Sequence, residues 1–467
     1  MNLKHIHNIY FIGIGGIGMS ALARYFNNTG KNIAGYDRLK TELTENLSNE
    51  GMDIHYEDNT NLINDAFKSA ECTIVIYTPA IPESHKELNY FRKNSFSVYK
   101  RSQILGILTK DKFGIAIAGT HGKTSISTLL THILNQTSEK CNAFLGGISK
   151  NYNSNYVFSE KSEKVVLEAD EFDRSFLQLY PQIALITSMD ADHLDIYGKR
   201  EKLVNSFNQF ITQINCNGYL VYNKKIEKDI NNKNIVKSFS YSINRHADFY
   251  AKNIRVENNI YCFDIVTNTG VISDIELGLP GKVNVENAVG ATSIATLLGL
   301  DKTLIKKGLN TFTGVQRRFD YQINTKELVY IDDYAHHPQE LSATINSIKE
   351  LYPDKKITGI FQPHLFTRTR DFATEFAKSL DLLNEIILLD IYPAREEPIE
   401  GITSEIIFKD IKNLNKIICK KDKVLSLIKE KKFEVLLTLG AGDIDQLVNP
   451  IKQLLSDNLN HKNELVH

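Results

Sequence analysis

Short runs of β-branched and other apolar residues recur along this chain, each ending in glycine or a polar cluster. Most are followed by a stretch whose apolar positions fall three and four apart. The runs read as strands buried on both faces, and the 3.6-period stretches as helices laid across them. Ile9–Ile12 is the first strand, with a helix over Met19–Asn27, and Thr73–Tyr77 is another. Ile115–Ala118 precedes a helix from about Ser125 to Leu134. Lys164–Leu167 and Ile183–Thr187 follow as strands, the second leading to a helix over roughly Lys199–Ile214. Between Gly218 and Leu279 the pattern shifts to short alternating strands, such as Tyr219–Tyr222 and Ile260–Phe263, expected to form an antiparallel patch. A helix then runs to Leu298. Beyond Gly314, strands at Leu328–Asp332, Lys356–Phe361, Glu385–Asp390, Lys416–Cys419 and Glu434–Leu439 alternate with helical segments, among them Pro338–Leu351 and Asp371–Leu383. The polar end, from about Asn458 to His467, is expected to fray.

Length divides this pattern. A chain of 467 residues exceeds one ordinary core, and its breaks suggest three domains, 1–106, 107–313 and 314–467. A formal net charge of −1 gives no bulk attraction to nucleic acid or to a membrane surface. No apolar run reaches membrane-spanning length, and Met1 to His7 is polar, without a secretory leader pattern. The cysteines (Cys72, Cys141, Cys216, Cys262 and Cys419) stand singly, which argues against disulfides or a zinc motif and fits the cytoplasm.

Two strand-to-helix junctions carry chemistry. Gly13-Ile14-Gly15-Gly16-Ile17-Gly18 is a G-x-G-x-x-G turn, and Asp37 ends the next strand, where an acid can hold a ribose hydroxyl. Alone this reads as a dinucleotide site, but a diphosphate on a helix N-terminus is all that it specifies. The second junction is Gly119-Thr120-His121-Gly122-Lys123-Thr124-Ser125, a phosphate-binding loop in which Lys123 reaches terminal phosphates and Thr124 ligands Mg²⁺. It departs from the usual loop at Ile117, where a glycine is normal, and an ordinary turn with an incidental lysine is the alternative. Glu168, Asp170, Glu171 and Asp173 crowd one strand end and would repel without a cation or basic partner. Glu168 is the metal-ligand candidate. Glu171 and Asp173 read equally well as a solvated helix start. His193, beside Asp192 at another strand end, is either a second metal ligand or a packing residue. Asn284 and Asn287 share a helix face and can contact a purine base or cap the helix. In the last segment Asp332–Pro338, Gln362–His364, Arg368, Tyr392–Glu397 and Gly440–Asp443 all follow strands, the edge where open α/β sheets bind ligands.

Taken in order, Gly13–Ser20, Gly119–Ser125, Glu168–Phe176, Asp192-His193, Asn284–Asn287, Arg317-Arg318-Phe319, Asp332–Pro338, Gln362–Arg370 and Tyr392–Gly401 resemble the Mur ligase family. These are ATP-dependent amide-forming enzymes of peptidoglycan precursor synthesis. The resemblance spans nearly the whole chain and accounts for Ile117, because the family's loop is shortened. It implies an α/β fold with a Rossmann-like N-terminal domain, a central P-loop ATPase domain with a mostly parallel sheet plus an antiparallel patch, and a Rossmann-like C-terminal domain. It implies ATP on Gly119–Ser125, Asn284, Asn287 and Arg318. Mg²⁺ would lie on Thr124 and Glu168, with His193 holding a second ion. UDP-N-acetylmuramate would take Gly13, Gly15, Gly16, Gly18, Asp37 and Arg174. The subgroup that adds L-alanine lines its pocket at Tyr334, His336, His364 and Arg368, with Lys123, His193 and His336 in catalytic roles. The expected protein is a cytoplasmic monomer or weak homodimer. Val283, Leu365-Phe366 and Arg395 depart from the family's usual residues, which bears on adenine packing and amino-acid selectivity. A ligase that recycles a murein tripeptide onto the same UDP-sugar is the alternative within the family. An NAD-dependent dehydrogenase and a non-catalytic nucleotide-binding regulator are the alternatives outside it.

Overall fold

The computed structural model describes residues 5–190, 194–231, 236–243, 246–394, 396–429 and 431–464. The class is α/β, and the described strands form three sheets. The first holds β1 (Asn8–Ile12), β2 (Asn32–Tyr36), β3 (Asp53–His55), β4 (Thr73–Tyr77) and β5 (Ser97–Lys100) in the order β3-β2-β1-β4-β5, all parallel. Alternate side chains of a strand point to opposite faces, so β1 feeds two cores. Ile9 and Phe11 pack with Leu22 and Phe26 of the helix Ile17–Asn28, while Tyr10 and Ile12 pack with Leu88 and Phe91 of the helix Lys86–Lys93.

The second sheet holds β6 (Phe113–Ala118), β7 (Asn142–Ser149), β8 (Ser154–Val157), β9 (Lys164–Ala169), β10 (Ile183–Ile186), β11 (Tyr219–Asn223), β12 (Lys237–Ser242), β13 (Phe249–Glu257), β14 (Ile260–Thr267) and β15 (Gly270–Leu277). Its order is β15-β14-β13-β12-β11-β10-β6-β9-β7-β8. One expectation needs correcting here. Tyr219–Tyr222 does not open an antiparallel patch: β11 pairs parallel with both β10 and β12, and β12 pairs parallel with β13. Residues 224–236 separate β11 from β12, enough chain for a parallel crossover. The hairpin geometry begins only at Asn258-Asn259, both at positive φ, which joins β13 to β14 by a two-residue turn.

The third sheet holds β16 (Asp320–Asn324), β17 (Val329–Asp333), β18 (Ile357–Phe361), β19 (Glu385–Leu388), β20 (Lys416–Ile418) and β21 (Val435–Leu439) in the order β16-β17-β21-β18-β19-β20. Only the edge pair β16–β17 is antiparallel. The helix expected over Asp371–Leu383 is two helices, Phe366–Asp371 and Ala373–Leu380, because Phe372 leaves the helical region at φ −125° and ψ 20°. The polar C-terminal stretch expected to fray is helical through Glu464, as a run without Gly or Pro allows, and 465–467 lie outside the described residues.

The chain packs as two compact units. One comprises Met1–Ile254, Phe263–Glu276 and Glu286–Thr313, and the other Arg255–Cys262, Leu277–Val285 and Gly314–His467. The first unit therefore carries the first sheet and most of the second, and the other unit carries the third. Among the described residues no cysteine forms a disulfide. Among the described residues no helix is long and apolar enough to cross a membrane.

Candidate active site

In the central sheet β6 lies between β9 and β10, so the turns after these three strands meet at one carboxyl edge. Gly119, at φ +125°, lets β6 turn where a Cβ would collide with Thr187 Oγ1, and Gly122, at +80°, precedes the helix Lys123–Leu134. The loop is pinned from the β10 side. Thr120 Oγ1 and Ser188 Oγ lie 2.8 Å apart, the His121 N–H donates to Ser188 Oγ at 3.0 Å, and Thr187 Oγ1 donates to His121 O at 2.5 Å.

From the helix's first turn Lys123 reaches back. Its Nζ donates to Gly119 O at 2.7 Å and to both oxygens of Glu171 at 3.0 and 2.8 Å. Burial opposes the ammonium, but the Glu171, Asp170 and Glu168 carboxylates outweigh it and shift Lys123 upward, so it stays charged. Beside it the Thr124 hydroxyl donates to Glu168 Oε2 at 3.2 Å. The Ser127 hydroxyl and the Gly146 N–H donate to Oε1 at 3.2 and 2.6 Å. A Cβ on Gly146 would collide with that carboxylate, so glycine keeps the space open. A hydroxyl and a carboxylate side by side are hard oxygen donors of the kind Mg²⁺ takes, and these residues fit that ion.

On the first sheet the G-x-G-x-x-G turn joins β1 to the helix Ile17–Asn28, whose N-terminus carries no side-chain cap. Asp37 folds into this turn, accepting from the Gly15 N–H at 2.7 Å and the Leu39 N–H at 3.2 Å. The guanidinium of Arg101 lies across the helix's first turn, with Nη1 only 2.6 Å from where a Gly18 Cβ would be. Arg174, at φ 54°, sits 5.6 Å from the Tyr197 ring, and the Tyr197 hydroxyl donates to Glu171 O at 2.6 Å.

The third sheet has its own cluster at the ends of β17 and β18. Two buried acids shape it. Asp332 accepts from the Thr438 hydroxyl at 2.7 Å and from Arg317 Nε at 3.3 Å, while Asp333 accepts the N–H groups of Phe319 and Ala335 at 2.8 and 2.7 Å. Burial pushes Asp333 up to about 6, against the pull of Arg318 and those two amides. The turn so held, with Arg317 and Phe319 at positive φ, places Arg318 4.7 Å over the Tyr334 ring. His336 lies 5.3 Å from Tyr334 and 5.9 Å from His364, which in turn stacks on Tyr392 at 5.8 Å and accepts from Arg368 Nη1 at 3.4 Å. Burial lowers His336 to about 4; Glu340 opposes this, and Arg368 and Arg318 add to it. Its Nδ1 faces Tyr334 O at 3.0 Å, and a carbonyl can only accept. The proton is therefore on Nδ1, and Nε2 presents a lone pair.

Three family models match in succession: Mur ligase family, catalytic domain, over residues 8–113; Mur ligase middle domain over 117–295; and Mur ligase, glutamate ligase domain, over 317–442. The chain belongs to the Mur ligase family. It is 53% identical over 455 residues to the UDP-N-acetylmuramate–L-alanine ligase of Parabacteroides distasonis, covering 97% of this chain and 98% of that one. The protein of the same name from Phocaeicola vulgatus is 51% identical over 457 residues, covering 98% of this chain and all of that one. Among solved structures, UDP-N-acetylmuramate-alanine ligase of Thermotoga maritima superposes with a TM-score of 0.82 at 25% identity, over 97% of this chain and 99% of its own. A murein peptide ligase from Psychrobacter arcticus, at 19% identity, shares the fold with a TM-score of 0.69 over 96% of this chain and 98% of its own.

Within this Mur ligase the residues singled out from sequence fall into three groups. Gly119, Thr120, His121, Gly122, Lys123, Thr124 and Glu168 share one edge of the second sheet, and Ser125 is in the helix that follows. Asn287 joins them, its Oδ1 3.0 Å from where a Gly122 Cβ would lie. Tyr334, His336, His364, Arg368 and Arg318 converge on the third sheet. Gly13, Gly15, Gly16, Gly18 and Asp37 form one turn on the first. Asn284 donates to Pro280 O at 2.7 Å, a local bond across the helix start, and it belongs to the other compact unit from Asn287. His193 lies outside the described residues, as does Arg395.

One residue settles an open alternative and another escaped the sequence reading. Glu171 is no solvated helix start: it is completely buried and paired with Lys123. The crowding of four acids signalled a cation nearby, and that cation is the lysine. Arg101 had a fainter signal, a basic pair with Lys100 at the carboxyl end of β5.

Proposed function

We propose that this chain joins L-alanine to the lactoyl carboxylate of UDP-N-acetylmuramate at the expense of ATP, through an acyl phosphate, with release of ADP and phosphate. The observation that carries the reading is identity above one half, along almost the entire chain, with two proteins of that name. The site geometry is chemically suited to each step.

The lactoyl carboxylate attacks the γ-phosphorus of ATP and displaces ADP. Lys123 and the amides of the 119–125 loop hold the phosphates, so catalysis is chiefly positioning and electrostatic neutralisation. Thr124 and Glu168 would hold Mg²⁺, with His193 as a ligand to a second ion; the metal supplies charge neutralisation on the phosphates. Asn287 and Asn284 serve the adenine, and Arg318 the nucleotide. The turn Gly13–Gly18, with Asp37 and Arg174, serves the UDP-sugar. The amine of L-alanine then attacks the acyl carbon, and phosphate leaves. Arg368 suits the amino acid's carboxylate, with Tyr334 and His364 lining the pocket. The Nε2 lone pair of neutral His336 can accept a hydrogen bond from the amine and orient it. Residues 1–106, 107–313 and 314–467 carry chiefly the UDP-sugar, ATP and amino-acid tasks, with Arg174 and Arg318 the exceptions. The enzyme works in the cytoplasm as a monomer or weak homodimer.

Phosphate release tests this, with UDP-N-acetylmuramate, ATP and Mg²⁺ present and L-alanine, glycine, L-serine or the murein tripeptide added separately. Turnover that depends on L-alanine is the expected result. Turnover with the tripeptide alone would make this a recycling ligase, and none with any acceptor would overturn the ligase reading.

A further inference from the structure

The reaction above gives Glu171 no task. This carboxylate is fully buried two residues past the end of β9, and both its oxygens accept from Lys123 Nζ, at 3.0 and 2.8 Å. The third proton of the same ammonium goes to Gly119 O at 2.7 Å. All three donors of Lys123 are thus committed to its own protein, with the side chain folded back on the loop. A buried ion pair of this kind persists because separating it leaves two unpaired charges. A triphosphate on the loop needs the same donors.

We propose that Glu171 is a positioning residue acting through Lys123: it is the resident acceptor of the ammonium in the empty loop, and nucleotide binding exchanges its carboxylate for phosphate oxygens. The inference rests on the reading of residues 119–125 as the ATP loop. Nucleotide affinity is then a difference between two interactions of one lysine, and weakening the internal one strengthens the external one. Glutamine at 171 keeps the size and one acceptor oxygen but removes the charge. Bare relief of negative charge near the phosphates would also favour nucleotide, but without needing Lys123. The two causes separate in a double-mutant cycle.

The test is calorimetric titration of the full chain, with Mg²⁺, by a non-hydrolysable ATP analogue, using the parent, Glu171→Gln, Lys123→Met and the double variant. Glu171→Gln is expected to tighten binding about tenfold and to lower the KM for ATP without raising kcat. In the Lys123→Met background the same change is expected to have less than about a twofold effect. Unchanged or weaker binding by Glu171→Gln, or equal tightening in both backgrounds, would overturn the exchange. Parent-like binding by Lys123→Met would instead overturn the loop assignment beneath it. If Glu171→Gln does not fold, Glu171→Asp, which withdraws the carboxylate by one methylene, takes its place in the cycle with the same direction expected.

Discussion

Glu87 should make this protein less stable as the pH rises, and Glu87→Gln should remove that dependence. The side chain is wholly buried at the start of the helix Lys86–Lys93. Its Oε1 accepts the Asn59 N–H at 3.1 Å, and its Oε2 lies 2.7 Å from the Tyr10 hydroxyl, itself 2.7 Å from His55 Nε2. His55 Nδ1 faces Glu57 O at 3.0 Å, so Nδ1 carries the proton and Nε2 accepts. A protonated Glu87 completes the chain, donating to Tyr10, which donates to His55. An ionised Glu87 takes the Tyr10 proton and leaves Nε2 without a donor. Burial raises the carboxyl from 4.5 to about 7, although the Tyr10 and Asn59 bonds pull it down. An acid raised on folding binds more protons folded than unfolded between those two values. Stability is therefore full below the unfolded pKa and falls as pH climbs to about 7. Raising the carboxyl from 4.5 to about 7 corresponds to roughly 3 kcal/mol at most. Glutamine mimics the protonated acid, its NH₂ donating to Tyr10 and its carbonyl accepting from Asn59. Urea unfolding at about pH 5 and about pH 8.5 should find the two proteins within about 1 kcal/mol at the lower pH. At the higher pH the variant should be more stable by up to about 3 kcal/mol. A variant no better than the parent at high pH would refute the buried-acid argument.

Three further outcomes follow from the sites. Lys123→Ala should abolish most L-alanine-dependent phosphate release, by a factor on the order of 10² or more, with a cooperative thermal transition still present but lowered because Glu171 loses its partner. Arg368→Lys should raise the KM for L-alanine about tenfold while leaving the KM for ATP unchanged, because a point charge cannot reproduce a two-pronged carboxylate contact. Asn155→Ala should destabilise by about 2–3 kcal/mol in chemical unfolding. That amide is fully buried, donating to Ile17 O at 2.5 Å and Ser20 Oγ at 2.8 Å and accepting from Arg24 Nη1 at 2.5 Å.

Much of this was legible because the chemistry sits where strands end. The strands of parallel sheets are nearly continuous apolar runs, so β1, β4, β6, β10 and β18 stood out, and with them the turns at their carboxyl ends. The pairing of β11 was not legible, since alternation marks a half-covered strand without giving its partner's direction. Neither was the break at Phe372, which no Gly or Pro marks and which shows only as a backbone at φ −125° and ψ 20°. Roles were harder to read than positions. Asp332 and Asp333 stood at a strand end where ligands bind, and Glu171 read equally well as a solvated helix start, yet each is buried and committed to its own chain, Asp332 and Asp333 around the Arg317–Phe319 turn and Glu171 on the loop lysine. Nothing in a one-dimensional pattern distinguishes an acid that meets a substrate from one that holds the loop beside it.

That distinction ties the first two glycine turns together. Each is rich in donors suited to an anion, and each already has a carboxylate of its own chain on one of them: Asp37 on the Gly15 N–H, Glu171 on the Lys123 ammonium. Buried or half-buried donors are rarely left without acceptors, because an unpaired one costs about 1–3 kcal/mol. A loop that must exist both with and without a phosphate therefore needs an internal acceptor that can be displaced. An acid supplied from a neighbouring strand end meets that need without obstructing the turn. Asp37 follows β2 and Glu171 follows β9, each on a strand that pairs directly with the strand bearing its loop. The arrangement makes a specific demand of Glu171: removing its carboxylate should favour the anion on its own loop and leave the other loop's affinity unchanged, whereas Asp37 has both a loop donor and the ribose to serve. Titrating Asp37→Asn with UDP-N-acetylmuramate and with the ATP analogue separates the two. Tighter binding of the nucleotide sugar alone would support displacement. Weaker binding of it would mean that Asp37 holds the ribose, as the glycine motif first suggested.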